Sequence, residues 1–131
     1  MKIGPRYKIA RRLGADLFPK TQSAKYALRA GKVMVKGYGR SEFGAQLKEK
    51  QRARFFYGLV ERQFARYVAN AIAKKNTRDD DALYTELETR LDNVIFRLGL
   101  APSRQASRQY ASHGHFMVNG VRLTIPSYRV S

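Results

Sequence analysis

The sequence predicts an α+β fold that is mainly helical, with an irregular amino-terminal extension and a helical domain over residues 1–88 and a small helix-and-hairpin domain over residues 89–131. Three observations carry that reading. Apolar residues recur at helical spacing through Leu47–Ala73 and again through Arg78–Leu98, as in helices buried along one face. Asn119-Gly120 stands between two short runs that alternate apolar and polar residues, the strongest short-range hairpin signal. Before residue 44, glycine and proline interrupt every candidate element.

Taken in order, Met1 to Gly44 is punctuated by Gly4, Pro5, Gly14, Pro19, Gly31, Gly37, Gly39 and Gly44, so little regular structure is expected there. Arg11, Arg12, Lys25, Arg29, Lys32 and Lys36 run through it, interleaved with Tyr7, Phe18, Tyr26 and Tyr38. Such a segment is either a solvated, partly disordered tail or an extension that orders on a polyanion, whose phosphates cancel its repulsion while aromatic rings pack on sugar or base.

Leu47–Ala73 reads as helix, with Phe56, Val60, Phe64, Val68 and Ile72 at successive four-residue steps as its buried stripe. Gly58 is worse than alanine in a helix interior by about 1 kcal/mol and marks either a kink or a break between two helices. Lys48, Lys50, Arg52 and Arg54 crowd the first turns of that helix, where the macrodipole disfavours cations; they form either a solvated face or the seat of an external anion. After the polar stretch Lys74–Asp81 begins, a second helix runs from Arg78 to Leu98, opened by Thr77 with Asp80 three residues on, a capping-box arrangement. Asp79, Asp80 and Asp81 suit the positive end of that helix, and no nearby histidine joins them as a metal site. Leu83, Leu87, Leu91, Val94, Ile95 and Leu98 form its core stripe, and Gly99 is a natural stop.

Ala101-Pro102 turns the chain into a helix capped by Ser103, on which Arg104 and Arg108 are four apart and so share a face; it ends near Gly114. Across the Asn119-Gly120 turn, Val118 pairs with Val121 and Phe116 with Leu123. Those four and Ile125 then share an apolar face, while His115, Met117 and Arg122 take the other. His113 and His115 are the only histidines, and a metal needs at least one more ligand than this spacing places, so no metal and no cofactor is expected. The pair either donates to phosphate or ribose beside Arg108 or fills a polar strand start.

A net charge of +16, from 26 Lys and Arg against 10 Asp and Glu, cannot be hidden in 131 residues. Self-repulsion disfavours the compact state unless a polyanion neutralises it, and nucleic acid is the first candidate. Residues 1–75 hold 19 of the cations and 4 of the acids, whereas from Asn93 onward there are five arginines and no acid. Two basic surfaces separated by an acidic helix start are implied. The absence of cysteine excludes disulfides, cysteine-ligated zinc and a thiol nucleophile. No run reaches the length of a spanning helix, and no long helix is apolar on one side and basic on the other, so a membrane partner is not expected. The amino terminus lacks the apolar core of a secretory signal, which points to the cytosol. Phosphate-loop, nucleophile-elbow and zincin motifs are missing, so an enzyme is not expected.

The run SRQASRQYASHGHFMVNG, Ser103–Gly120, resembles the small RNA-binding domain named after ribosomal protein four of the small subunit, whose recurring frame is filled here by Ser103, Arg104, Ala106, Gly114, Val118, Asn119 and Gly120. That domain also occurs in some tRNA synthetases, RNA pseudouridine synthases and a ribosome-associated heat-shock protein. Two more segments narrow the likeness. QLKEKQRARFFYGLVERQF, Gln46–Phe64, and LETRLDNVIFRLG, Leu87–Gly99, are similar to the hallmark segments of bacterial-type ribosomal protein four of the small subunit. With PSYRV at Pro126–Val130, the likeness covers most of Gln46–Ser131 in the right order.

The resemblance implies that residues 89–131 form a partial helix-helix-hairpin RNA-binding domain of the alpha-L type. It implies a primary binder of small-subunit ribosomal RNA that docks at a multi-helix junction of the 5′ domain, nucleates subunit assembly, and lies near the path by which mRNA enters. Small-subunit protein five would be its neighbour, and the protein would be cytoplasmic, ribosome-bound and not a homo-oligomer. Arg104, Arg108, His113, His115 and Arg122 would grip RNA on one domain, and Lys48, Lys50, Arg52 and Arg54 with Arg11 and Arg12 on the other. If about six phosphates are neutralised, affinity falls roughly 10³-fold between 50 and 200 mM salt. The rival reading is a trans-acting RNA chaperone or ribosome-rescue factor built on the same module. Where some family members carry a Cys cluster, the neighbourhood of Gly4 to Arg12 offers Tyr7 and Ala10, so zinc is not expected. The family continues past the position of Ser131 with a strand that closes the small domain. Either that strand is dispensable here, another chain supplies it, or the sequence is a fragment, and an unpaired edge at Tyr128–Val130 is expected.

Overall fold

Pro5 starts the first helix. In the computed structural model, which describes residues 3–30, 41–74 and 77–131, its carbonyl accepts from the amides of Lys8 and Ile9 at 3.0 and 3.2 Å, and α1 spans Arg6–Leu13. Two short 3-10 turns, Ala15–Leu17 and Pro19–Gln22, lead to α2 (Ala24–Ala30). The expectation of little regular structure before Gly44 is therefore corrected. Glycine and proline sit at the joints between short elements, Gly14 ending α1 at φ 134°. A buried cluster of Ala10, Leu13, Leu17, Phe18 and Tyr26 ties the elements together. Lys32, Lys36 and Tyr38 of that region lie outside the described residues.

The next helix, α3 (Glu42–Tyr57), begins ahead of Leu47. Ser41 caps it, its Oγ accepting from the Gly44 amide at 3.1 Å, and Glu42 complements the dipole in the first turn. Lys48, Lys50, Arg52 and Arg54 thus occupy the middle and end of the helix, and the dipole argument about them falls; Arg54 stands in the last turn, where a cation is favoured. Gly58, left-handed at φ 64°, caps the end, and its amide donates to the carbonyls of Arg54 and Phe55. α4 (Glu61–Ile72) then starts afresh. Because this break resets the helical phase, the predicted stripe does not hold. Phe64 is buried and Phe56 and Val68 half-buried, but Val60 and Ile72 are exposed, and the buried face of α4 is Phe64, Tyr67 and Ala71.

The second predicted helix also divides, into α5 (Asp79–Glu88) and α6 (Leu91–Arg97). Arg90 between them is extended and bridges antiparallel to Arg129. The Leu91 amide donates to the Tyr128 carbonyl and the Val130 amide to the Thr89 carbonyl, each at 2.8 Å, and the Asp92 amide reaches Pro126 at 3.0 Å. The edge at Tyr128–Val130, expected to be unpaired, is paired here. Thr77 does not cap α5: Arg78 takes the cap position without a side-chain bond, while Asp79, Asp80 and Asp81 fill the first turn. Leu87, Leu91 and Ile95 of the predicted stripe are buried and Leu83 and Val94 half-buried, whereas Leu98 lies just past α6 and is exposed.

Ser103 caps α7 (Arg104–Ser112), its Oγ accepting from the Ala106 amide at 3.2 Å. The strands β1 (Phe116–Val118) and β2 (Val121–Leu123) pair antiparallel with Phe116 opposite Leu123 and Val118 opposite Val121. Asn119 and Gly120 have φ of 51° and 79°, as a primed two-residue turn requires. Phe116, Val118, Leu123 and Val130 pack on buried Leu91, Ile95, Ala101 and Ala111. Val121 and Ile125 fall outside that cluster and are exposed. The fold is α+β and mainly helical, with seven α-helices and one two-stranded sheet among the described residues, divided into units Met1–Val60 and Glu61–Ser131.

Candidate nucleic-acid interface

In the first unit α3 packs against α1, and its cations alternate around the helix. Lys48 and Arg52 are four apart and share one face; Lys50 and Arg54 share another. Arg52 donates to Asp16 Oδ2 at 2.7 Å and lies 3.9 Å from Glu49. That hydrogen bond holds the Asp16 carboxyl below the usual carboxylate range and raises Arg52. Arg54 donates to Gln51 Oε1 at 2.9 Å and lies 4.4 Å over the Phe55 ring. Lys48 and Arg12 line one cleft between α1 and α3. Arg11 lines a smaller one with Tyr7, Lys25, Tyr26 and Arg29, where its Nε is enclosed without a hydrogen-bond partner. Tyr7 stacks on Tyr26 at 5.7 Å, and buried Ala10 belongs to the same apolar cluster. The two positions matched to the family's Cys neighbourhood are therefore spent on packing.

In the second unit Arg104 and Arg108 do share a face of α7, and that face is turned toward the start of α6. Arg104 Nε donates to Asn93 Oδ1 at 2.7 Å, and its guanidinium lies 4.5 Å over the Phe96 ring. Arg108 donates through Nε and Nη2 to Asp92 Oδ2 at 2.9 and 2.8 Å. Asp92 also accepts from Arg90, at 3.0 Å on Oδ1 and 2.7 Å on Oδ2, and Arg90 donates in addition to the Tyr67 hydroxyl. The Arg90 and Asp92 side chains are each only 4% exposed, whereas Arg108 retains 27%. Burial works against the Arg90 charge, and the hydrogen bond and charge of Asp92 outweigh it, so its pKa stands above the ordinary arginine value. Glu88 completes the network, accepting from Asn93 at 2.7 Å and from Arg97 at 2.9 Å.

At the other end of α7, Arg122 donates to the carbonyls of Gly114 and His113 at 2.8 and 3.2 Å, placing a cation on the negative end of the helix. His113 and His115 are exposed, with ring centroids 5.9 Å apart, and Tyr110 meets His115 edge-on at 5.9 Å. Arg122, His113 and His115 are thus brought together, while Arg104 and Arg108 lie along the helix against α6. Sequence reasoning missed the Arg90–Asp92–Arg108 network; its one signal was an acid set inside the apolar stripe between Leu91 and Ile95. It also passed over Arg62 and Arg66, exposed and four apart on α4. Among the described residues no group of three His, Cys, Asp or Glu gathers as a metal site, and no helix is long and apolar enough to cross a membrane.

Cations grouped on a short helix and a tight hairpin, beside exposed aromatic rings, define a polyanion-binding module. A family model described as the S4 domain matches residues 89–131, and one described as the ribosomal protein S4/S9 N-terminal domain matches residues 1–88. The chain belongs to the ribosomal protein S4/S9 family. It is 48% identical over 131 residues to the small ribosomal subunit protein uS4 of Cutibacterium acnes, covering 98% of this chain and 64% of that protein. Over 132 residues it is 47% identical to uS4 of Mycolicibacterium smegmatis, again 98% of this chain and 64% of the relative. With uS4B of Clostridium acetobutylicum the identity is 44% over 129 residues, or 98% and 63%. The chain therefore spans a little under two thirds of the length of these curated relatives.

Proposed function

We propose that this protein is a non-catalytic, structural component of the small ribosomal subunit, bound to small-subunit ribosomal RNA in the cytoplasm. Its finer role is docking at the multi-helix junction of the 5′ domain, nucleating assembly there, and lying near the mRNA path beside small-subunit protein five. The observation that carries the reading is the grouping of Arg122, His113 and His115 at the end of α7, on a chain whose relatives are named as small-subunit proteins. Residues 89–131 form the smaller RNA-binding domain in this reading and residues 1–88 the larger. Arg104 and Arg108 join the first surface at their exposed edges. Arg11, Arg12, Lys48, Lys50, Arg52 and Arg54 form the second. Phosphate contacts set affinity, and the separation of two surfaces reads junction shape.

Filter binding to the 5′-domain junction RNA tests the roles. Arg104→Ala with Arg108→Ala is expected to weaken binding far more than Arg6→Ala with Lys8→Ala. Because Arg108 also holds Asp92, a second variant, Arg122→Gln with His115→Ala, probes the surface without touching the buried network. It should weaken binding about tenfold, the worth of a lost charge-assisted contact. Equal affinities for all three variants would overturn the assignment.

A further inference from the structure

Between α1 and α3 lies a cleft of about 210 Å³ that none of the foregoing contacts uses. Ile9, Leu13, Leu47 and Phe55 give it an apolar lining, and Arg12, Lys48 and Gln51 supply its polar groups. Every one of those polar groups is left to donate. Arginine and lysine carry no acceptor. The Gln51 carbonyl oxygen already accepts from Arg54 at 2.9 Å, which fixes the amide orientation and leaves its NH₂ as the end for a ligand. An occupant must therefore combine an apolar body with hydrogen-bond acceptors and negative charge, since a donor set against these groups would be buried unpaired.

We infer that this cleft seats one unstacked RNA base of the keto type, uracil or guanine, with an adjoining phosphate on Arg12 and Lys48. The inference rests on the RNA-binding reading above and names a ligand for one part of it. An apolar cavity on the order of 150 Å³ holds a benzene ring, so the measured space admits a planar base. Single-stranded loops and bulges are where proteins read RNA bases, by burying the ring on apolar or aromatic side chains and hydrogen-bonding its edge. Uracil and guanine present carbonyl oxygens on that edge, whereas adenine and cytosine present an exocyclic amino donor. A row of donors accepts the first pair and opposes the second. An acidic peptide would also bring acceptors and charge, but it lacks the planar apolar body that the lining fits.

The chain contains no tryptophan, so Phe55→Trp places a single indole in the cleft as a reporter. Titrated with pentauridylate, pentacytidylate and pentaadenylate at about 150 mM salt, the full chain should bind the uridylate about fivefold more tightly, the worth of one net hydrogen bond. The indole should be quenched most by that oligomer. Gln51→Glu and the near-isosteric Gln51→Leu should both bring the preference to about one while junction RNA remains bound. Equal affinity for the three oligomers, or a preference unchanged in both Gln51 variants, overturns the inference. Junction binding that persists in that event leaves the RNA-binding reading standing. A uridylate preference without junction binding keeps the cleft and removes the reading, and quenching by an acidic peptide at equal affinity assigns the cleft to protein instead.

Discussion

In the second unit, arginines are met by carboxylates of the same chain: Arg90 and Arg108 converge on Asp92, Arg97 on Glu88, and Arg129 shares Glu86 with Lys74. In the first unit, Arg52 meets Asp16 and Glu49 at exposed positions, and residues 1–60 hold fifteen Lys and Arg against three acids. Residues 61–131 hold eleven against seven. Three acids cannot neutralise fifteen cations, so most of the charge in the first unit is directed outward. In the second unit part of it is consumed in fixing the arrangement of α6 and α7. The same residue type thus has two physical roles, and removing charge should have different consequences on the two sides.

The largest effect is expected from Asp92→Ala. It leaves Arg90 and Arg108 facing each other, with Arg90 enclosed and its countercharge gone, a situation that destabilises by about 3–5 kcal/mol. Urea unfolding of the full chain should show that loss in the transition of the second unit. A loss below about 1 kcal/mol, the scale of an exposed pair, would place Asp92 in the same class as Asp16 and dissolve the contrast.

Gly114→Ala comes next. Its φ of 71° is left-handed, and an added Cβ would stand 2.5 Å from Arg122 Nε. The backbone penalty alone is about 1–2 kcal/mol, and the guanidinium must leave the carbonyls that it caps. Gly120, at φ 79°, has open space around the same position. Gly120→Ala should therefore lower the melting temperature less than Gly114→Ala, and equal losses would mean that the Arg122 clamp contributes nothing.

What the sequence made legible follows the range of each signal. The Ser103 cap and the register of β1 with β2 were readable because each is decided within three or four residues. The division between α5 and α6 was not, because the extended Arg90 pairs with Arg129 from the far end of the chain. The amino-terminal cluster was missed because α1, α2 and the turns between them are too short to show a period. At the candidate site, spacing placed Arg104 and Arg108 on one face but could not say which way it turns. That is set by Asp92 and Asn93, whose position exists only once α6 and α7 have packed. The cleft beside Gln51 is likewise made by two helices that meet in space.

Asp16→Asn should have a smaller effect, and one that depends on pH. The folded pKa of Asp16 is depressed by Arg52, so its contribution is present above the unfolded value of about 3.9 and is lost as pH falls through the folded value. Both partners are largely exposed, which keeps the effect small. The variant should melt slightly below the parent at neutral pH and converge with it on acidification below about pH 3.9. A gap that widens in acid would show that the carboxylate is not stabilised by Arg52.

The smallest change in stability, and the sharpest test of the comparison, belongs to Lys25→Gln with Arg29→Gln. Both side chains are exposed beside Arg11 at the smaller cleft, in a unit crowded with like charge. Removing them relieves repulsion and breaks none of the carboxylate pairs described for that unit, so the melting temperature should hold or rise slightly. Binding should still suffer, because each cation that neutralises a phosphate adds about one to the slope of log affinity against log salt. The expected result is a slope shallower by about two with stability intact. A fall in melting temperature with an unchanged slope would mean that the cations of the first unit, like those around Asp92, serve the fold before they serve a ligand.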